Sequence, residues 1–383
     1  MADKAPGNSP LILKSSFVGL DGIANLCAGG ETPMLASHRD AINQFMLDKA
    51  KGEQARHCLD AKVESVREKC GQLWSVDGKD IAFLSSASEG INNVVYGLDW
   101  QAGDNVIVAD VEFPSGILPW TRLQQQGVEV RVVRHRNWKI ELEDIAALID
   151  ERTRVVEISL VSMFTGQRLD LEALSALVRS SNALLLLDAT HASGVVKVDA
   201  SLADVVVSSC YKWMLGVHGA ALFYVNPERA HVLEPPFLGW NNPSRHGGWE
   251  DPLDFDLQAT ALRHQPGNAG FISVYILENA LDRLLDLGID RIEQHALALS
   301  GRVRAGIAEL GFELMTPEAD AERAGNVCFL VDDLGAVQEA LQNRQVLVWG
   351  SYAGFARLRI STHVYNDIYD VDLCLDVLKQ FAN

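Results

Sequence analysis

The sequence is poor in several features that mark out whole classes of protein. Positive charge is scarce: 33 Lys and Arg stand against 51 Asp and Glu, a net charge of −18, and no Lys/Arg block occurs. This disfavours a broad nucleic-acid or anionic-membrane surface, while leaving room for a local cationic pocket that takes a small anion. Long apolar runs are missing too. Stretches such as 183–187 and 220–225 are of strand length, far too short to cross a bilayer. The opening MADKAPGNSP holds no apolar segment of secretory type, so a cytoplasmic protein is the expectation. The six cysteines (Cys27, Cys58, Cys70, Cys210, Cys328 and Cys374) lie far apart, with no C-x-x-C pair and no zinc-type spacing. Reduced thiols and no metal site are expected. No G-x-G-x-x-G follows a strand and no G-x-x-x-x-G-K-[ST] occurs, so dinucleotide and nucleoside-triphosphate sites lose support.

What is present is a globular composition, 48% hydrophobic and 22% charged, over 383 residues. That length exceeds what one small core needs, so a large domain with a smaller one is expected. Between about 80 and 225, apolar runs at 81–84, 105–109, 128–133, 154–160, 183–187, 203–208 and 219–225 alternate with helix-like stretches at 90–98, 115–126, 141–149 and 170–180. Continuous apolar strands alternating with helices imply a mostly parallel seven-stranded sheet covered on both faces. Ligands of such sheets collect beyond the carboxyl ends of the strands. Residues 234–268, crowded with Pro, Gly, Trp and His, read as a long functional loop. A helical pattern follows from about 269 to 310, then strand candidates at 326–331, 345–349 and 355–361 that form a smaller C-terminal α/β unit. The expected division is 20–265 for the large domain, with 1–19 and 266–383 for the small one.

Chemistry concentrates on two residues. Asp188 closes the apolar strand ALLLL, and Lys212 follows the strand DVVVSS by a few positions, so both stand at the carboxyl lip of the sheet. A buried carboxylate and amine are costly there unless something uses them. Pyridoxal phosphate uses both: its aldehyde takes a lysine and its protonated ring nitrogen takes an acid partner. An ordinary salt bridge at the sheet edge is the alternative. After strand 81–84 comes SSASEG and a helical run, where free backbone N–H groups and the positive dipole end suit a phosphate monoester. Taken alone, a plain Ser N-cap is the better account of those serines.

The string ALLLLDATHASGVVKVDASLADVVVSSCYKWMLGVHGAALFYV at 183–225 resembles the lysine region of the class V aminotransferase family, fold-type I pyridoxal-phosphate enzymes that include cysteine desulfurases, selenocysteine lyase, kynureninase and isopenicillin N epimerase. Supporting segments are IAFLSSASEGINNVV at 81–95, ADVEFPSGILPW at 109–120, RHQPGN at 263–268 and RLRISTHVYND at 357–367. The resemblance implies Lys212 as the Schiff-base lysine, Asp188 as partner of the pyridine nitrogen and His191 as partner of the phenolic oxygen. It implies Ala87 and Ser88, with Ser209 and Tyr211, around the phosphate, and Phe113 stacked on the pyridine where many relatives have His. Arg359 matches the arginine that grips the substrate α-carboxylate, with Arg357 on the same face of the same strand. Gly267 and Asn268, the latter where Thr is usual, match a segment reaching the partner subunit's phosphate in a homodimer. Ala28 and Gly29 match a turn bordering the substrate.

Transamination, racemisation and β-elimination share nearly all these residues. Cysteine desulfurases need a mobile cysteine before the carboxylate-binding arginine, and NRQVLVWGSYAGFARL at 343–358 has none. The expectation is therefore an enzyme acting on an α-amino acid with pyridoxal 5′-phosphate, a class V aminotransferase first, a C–S or other β-lyase or an epimerase second. A catalytically decayed binding module is the non-enzymatic alternative, which the retained Asp188–Lys212 pair argues against.

Overall fold

The computed structural model describes residues 6–350, 354 and 356–382. All seven strands expected between 80 and 225 form one sheet. Its order is Ile81–Leu84, Ala221–Val225, Val205–Ser209, Leu184–Asp188, Thr153–Ser159, Asn105–Ala109, Glu129–Val133. The last five in that order run parallel to one another, and Ala221–Val225 is antiparallel to both its neighbours. Both faces are apolar because both are covered, which is why the strands read as unbroken hydrophobic runs. On one face Ile107, Val156, Leu187 and Val206 meet Val66 and Trp74 of the Gln54–Trp74 helix and Val274 and Leu277 of the Phe271–Leu287 helix. On the other, Val108, Val155, Leu186 and Val207 meet Ile91, Val94 and Val95 of the Ala87–Gly97 helix and Trp120.

The C-terminal strands Asn326–Leu330 and Arg357–Ser361 pair antiparallel and bury Val327, Phe329, Leu358 and Ile360 against the Ile289–Glu309 and Ile368–Leu378 helices. Asn326, Cys328, Arg357, Arg359 and Ser361 occupy the opposite face, turned toward the large sheet. The expected strand at 345–349 shortens to Val346–Leu347, which pairs parallel with Ala24–Asn25. Residue 355, where the 355–361 strand was expected to begin, lies outside the described residues, as do 1–5 and 383.

Two expectations are corrected in detail. The helical pattern at 269–310 is two helices, Phe271–Leu287 and Ile289–Glu309, because Gly288 takes φ +79°, a conformation open to glycine and not compatible with a continuous helix. The 234–268 loop contains an antiparallel ribbon, Pro243–His246 with Phe255–Leu257, tied by Arg245 to Asp254 at 2.7 Å through both terminal nitrogens. Trp240 and Trp249 lie exposed in it. Among the described residues no helix is long and apolar enough to cross a membrane, and no group of three His, Cys, Asp or Glu is placed to hold a metal.

Candidate active site

The sheet delivers its functional side chains at the carboxyl edge. Asp188 ends the Leu184–Asp188 strand, and its Oδ1 accepts the Thr190 N–H at 2.8 Å. The neighbouring strand stops at Ser209, whose N–H is taken by Thr190 Oγ1 at 3.1 Å. The chain then makes a tight turn, closed by Leu215 N–H to Lys212 O and Gly216 N–H to Cys210 O, with buried Leu215 at φ +57°. Thr32 Oγ1 spans the Tyr211 and Lys212 carbonyls at 2.9 and 3.0 Å. Strand end, turn and Thr32 together fix where the Lys212 side chain starts.

Asp188 and Lys212 do not make the sheet-edge salt bridge that was the alternative. Lys212 Nζ instead lies 3.1 Å from His191 Nε2, and Asp188 has no Lys or Arg nitrogen within 4.0 Å among the described residues. The two charges still feel each other, since Asp188 raises Lys212 and Lys212 lowers Asp188. His191 Nδ1 lies 3.0 Å from Asn326 Nδ2, and Asn326 Oδ1 accepts the Ser361 hydroxyl at 2.7 Å. An amide nitrogen only donates, so in this amide orientation Nδ1 accepts and the neutral ring carries its proton on Nε2, facing the amine.

Burial sets the electrostatics. It holds Lys212 down at about 8, helped by the Arg359 charge, and keeps His191 neutral, well below its ordinary value. It pushes Asp188 up against the pull of Thr190 and Lys212. Lys212 Nζ also stands 5.6 Å from the ring centroids of both Phe113 and Tyr211. Tyr211 stacks on His218 at 3.9 Å.

Ser86 supplies the N-cap of the Ala87–Gly97 helix, accepting the Glu89 N–H at 3.2 Å. The plain capping reading therefore holds for Ser86, while its neighbours do something else. The Ala87 N–H points to Ser209 Oγ at 3.3 Å, and Ser88 Oγ meets Ser115 Oγ at 2.7 Å. Three chain segments and three hydroxyls thus converge where the helix dipole is positive. Gly267 and Asn268 are not joined to this cluster within the chain: Asn268 Oδ1 accepts from Arg56 at 2.7 Å, and Gly267 O accepts from Gln265 at 3.3 Å.

At the other end, Arg359 and Arg357 are fully buried, and both donate to Met163 O, at 3.1 and 2.8 Å. Ala28 is fully buried and Gly29 lies against Arg359: a Cβ on Gly29 would stand 3.2 Å from Arg359 Nε and 2.7 Å from Asn326 Oδ1. Only a residue without a side chain lets that turn approach so closely. Sequence reasoning missed Thr32, Thr190, Ser115, Asn326 and two buried acids. Glu112 accepts from Ser159 N at 2.7 Å, and burial pushes it up to about 7. Glu157 is 1% exposed, has no hydrogen-bond partner among the described residues, and is raised well above the usual carboxylate range by burial, Glu112 and Asp188. Ser115, directly after Phe113-Pro114, was the one with a visible signal.

Comparison with known proteins places this geometry. The family model for aminotransferase class-V matches residues 40–373, and the chain belongs to that family of pyridoxal-5′-phosphate-dependent enzymes. An uncharacterised aminotransferase of Schizosaccharomyces pombe is 25% identical over 366 residues, 91% of this chain and 89% of the relative. A probable cysteine desulfurase of Pyrococcus abyssi is 26% identical over 342 residues, 84% of this chain and 83% of its own. In fold, the chain is similar to the apo cysteine desulfurase of Thermococcus onnurineus NA1, with TM-score 0.88, 20% identity and 99% of both chains covered. It is likewise similar to the cystine C–S lyase C-DES, with TM-score 0.87, 21% identity and coverage of 96% and 100%.

The residues present fit the family's cofactor. An amine held near neutrality, a buried acid without a cationic partner, an aromatic face and a hydroxyl-lined helix start are the four donor types it needs.

Proposed function

We propose that this chain acts on an α-amino acid at Lys212, amino-group transfer being the favoured reaction. The observation that carries the reading is the buried Asp188–Lys212 pair, which share a site without an ion pair, so each charge is left for a ligand. When bound, pyridoxal 5′-phosphate supplies an aldehyde for amine exchange and a protonated ring that draws electrons from the substrate α-carbon. Lys212 holds the aldehyde end, and Asp188 holds a proton at the ring nitrogen. Phe113 offers its π-face to the ring, His191 offers a hydrogen bond to the phenolic oxygen, and Ala87, Ser88, Ser209 and Tyr211 line the phosphate end. Once displaced by substrate, the Lys212 amine, with its midpoint near 8, takes the α-proton. Arg359 grips the α-carboxylate next to Ala28 and Gly29. In a homodimer, Gly267 and Asn268 reach the partner subunit's phosphate end.

A second reading, β-elimination, is favoured by the names of relatives and of the C–S lyase neighbour. It runs here without a protein thiol. Residues 343–358 contain no cysteine. Cys27, next to Arg359, is pushed up to about 12 by burial, and Cys328 is buried on a strand. A thiol that stays protonated at neutral pH is a poor nucleophile. Incubating the cofactor-loaded protein with single amino acids separates the readings. Recovery of pyridoxamine 5′-phosphate supports transfer, while ammonia and a keto acid released without an amino acceptor overturn it in favour of elimination. If borohydride reduction and peptide mapping leave Lys212 unmodified, both readings fail.

A further inference from the structure

The substrate reading uses one arginine, yet the site contains two. Arg357 and Arg359 sit two residues apart on one strand, so their side chains leave the same face and stand about 7 Å apart at the backbone. Both converge on the Met163 carbonyl, which holds their Nη1 atoms no farther apart than those two hydrogen bonds together. Arg357 donates also to Phe164 O at 3.0 Å and lies 4.8 Å over the Phe164 ring centroid. Met163 and Phe164 belong to the loop just beyond the carboxyl end of the Thr153–Ser159 strand, so the pair closes the same edge of the sheet that carries Asp188.

No Asp or Glu oxygen lies within ion-pair distance of either guanidinium among the described residues. Both residues are 1% exposed or less. Arg357 Nε and Nη2 and Arg359 Nε are buried without hydrogen-bond partners among those residues. Two buried cations this close repel each other and have lost their hydration, a costly arrangement until anions are supplied. One α-carboxylate neutralises one of them. A second negative group is needed for the other, and the planar fork of Arg357 still has two donor nitrogens to give it.

We propose that Arg357 is a second anion subsite beside Arg359, and that the substrate is an amino acid whose side chain ends in a second acidic group, a carboxylate or an oxidised-sulfur acid. The proposal rests on the α-amino-acid reading of the Lys212 site and narrows it to acidic amino acids. Arg359 takes the α-carboxylate and Arg357 the distal acid, which orients the side chain away from Lys212 along the Arg357–Ser361 strand.

The test is calorimetry with glutarate against valerate on the protein with and without its cofactor, together with titrations of L-glutamate and L-aspartate against L-norvaline and L-2-aminobutyrate followed by the cofactor's visible band. The wild type is expected to bind each diacid at least tenfold more tightly than its monoacid counterpart. Arg357→Gln should bring the diacids to the monoacid level while changing monoacid binding less than about twofold, and Arg357→Lys should restore part of the preference. Equal affinity for diacid and monoacid in the wild type overturns the proposal, and this holds even if Arg357→Gln does not fold. A variant that weakens both series equally also overturns it, since Arg357 would then only support Arg359. If no cofactor attaches to Lys212, the catalytic reading fails, but the calorimetric preference for glutarate still decides the role of Arg357 separately.

Discussion

Lys212 is placed so that its amine titrates near 8 instead of 10.5. At pH 7 such a lysine has roughly a tenth of its amine free, about 300-fold more than an ordinary lysine, a difference of about 3 kcal/mol between its two protonation states. Burial is the largest cause, the Arg359 charge the next, and Asp188 opposes both. Two substitutions should therefore move the midpoint in opposite directions. Arg359→Gln removes a cation that disfavours the ammonium, so the midpoint rises. Asp188→Asn removes an anion that favours it, so the midpoint falls. The assay is a brief pulse of acetic anhydride on cofactor-free protein between about pH 6 and 11. Lys212 acetylation is quantified by peptide mass mapping, with the exposed Lys49 in the same digest as the rate reference. A wild-type midpoint close to 10.5, or two variants that shift the same way, would refute the electrostatic account of this amine.

Three other outcomes follow from the geometry. Glu112 and Glu157 both bind their protons more tightly in the folded chain than in the unfolded one, so their contribution to stability is complete below about pH 4.5 and is lost as pH rises, through about 7 for Glu112, with Glu157 acting in the same direction. Urea unfolding should show stability falling by on the order of 1–3 kcal/mol between about pH 5 and 8, with Glu157→Gln flattening the profile; a slope of the opposite sign counts against it. Asn326→Leu leaves His191 Nδ1 and the Ser361 hydroxyl unpaired inside the protein and should cost about 1–3 kcal/mol in denaturant titrations, whereas a neutral effect would mean water replaces the amide. Ser88→Asp puts an anion in the first turn of the Ala87–Gly97 helix, which suits the helix dipole. The cofactor-free protein should be no less stable in thermal melting, while pyridoxal 5′-phosphate retention on dialysis should fall at least tenfold if a phosphate sits there.

The large sheet was legible because covering both faces demands unbroken apolar strands, and the two runs that carry the site end at the lip in Asp188 and Ser209, with Lys212 in the turn beyond. Family order supplied His191, Phe113 and Arg359, which composition alone leaves among many similar residues. What stayed hidden depends on contacts between distant segments. Thr32 acts on carbonyls about 180 residues away in sequence, and Asn326 reaches His191 from the other sheet. Glu157 stands inside RVVEIS, where alternation cannot tell a solvent-facing acid from one buried under a helix. Gly288 breaks a helix whose hydrophobic period runs straight through it.

Charge gives these particulars a common logic. A chain with a net charge of −18 brings Lys212, Arg359, Asp188, Glu112 and Glu157 close enough to shift one another's titration, with Arg357 beside Arg359. For Lys212, Arg359 and the three acids, the charged form is the one disfavoured where it lies. Burial lowers Arg359 to about 10 and raises all three acids, so keeping these groups charged there costs stability. A fold selected for stability alone would replace them with apolar residues of similar volume. A ligand that is cationic beside Asp188 and anionic beside Arg359 supplies counter-charges that the chain leaves out there.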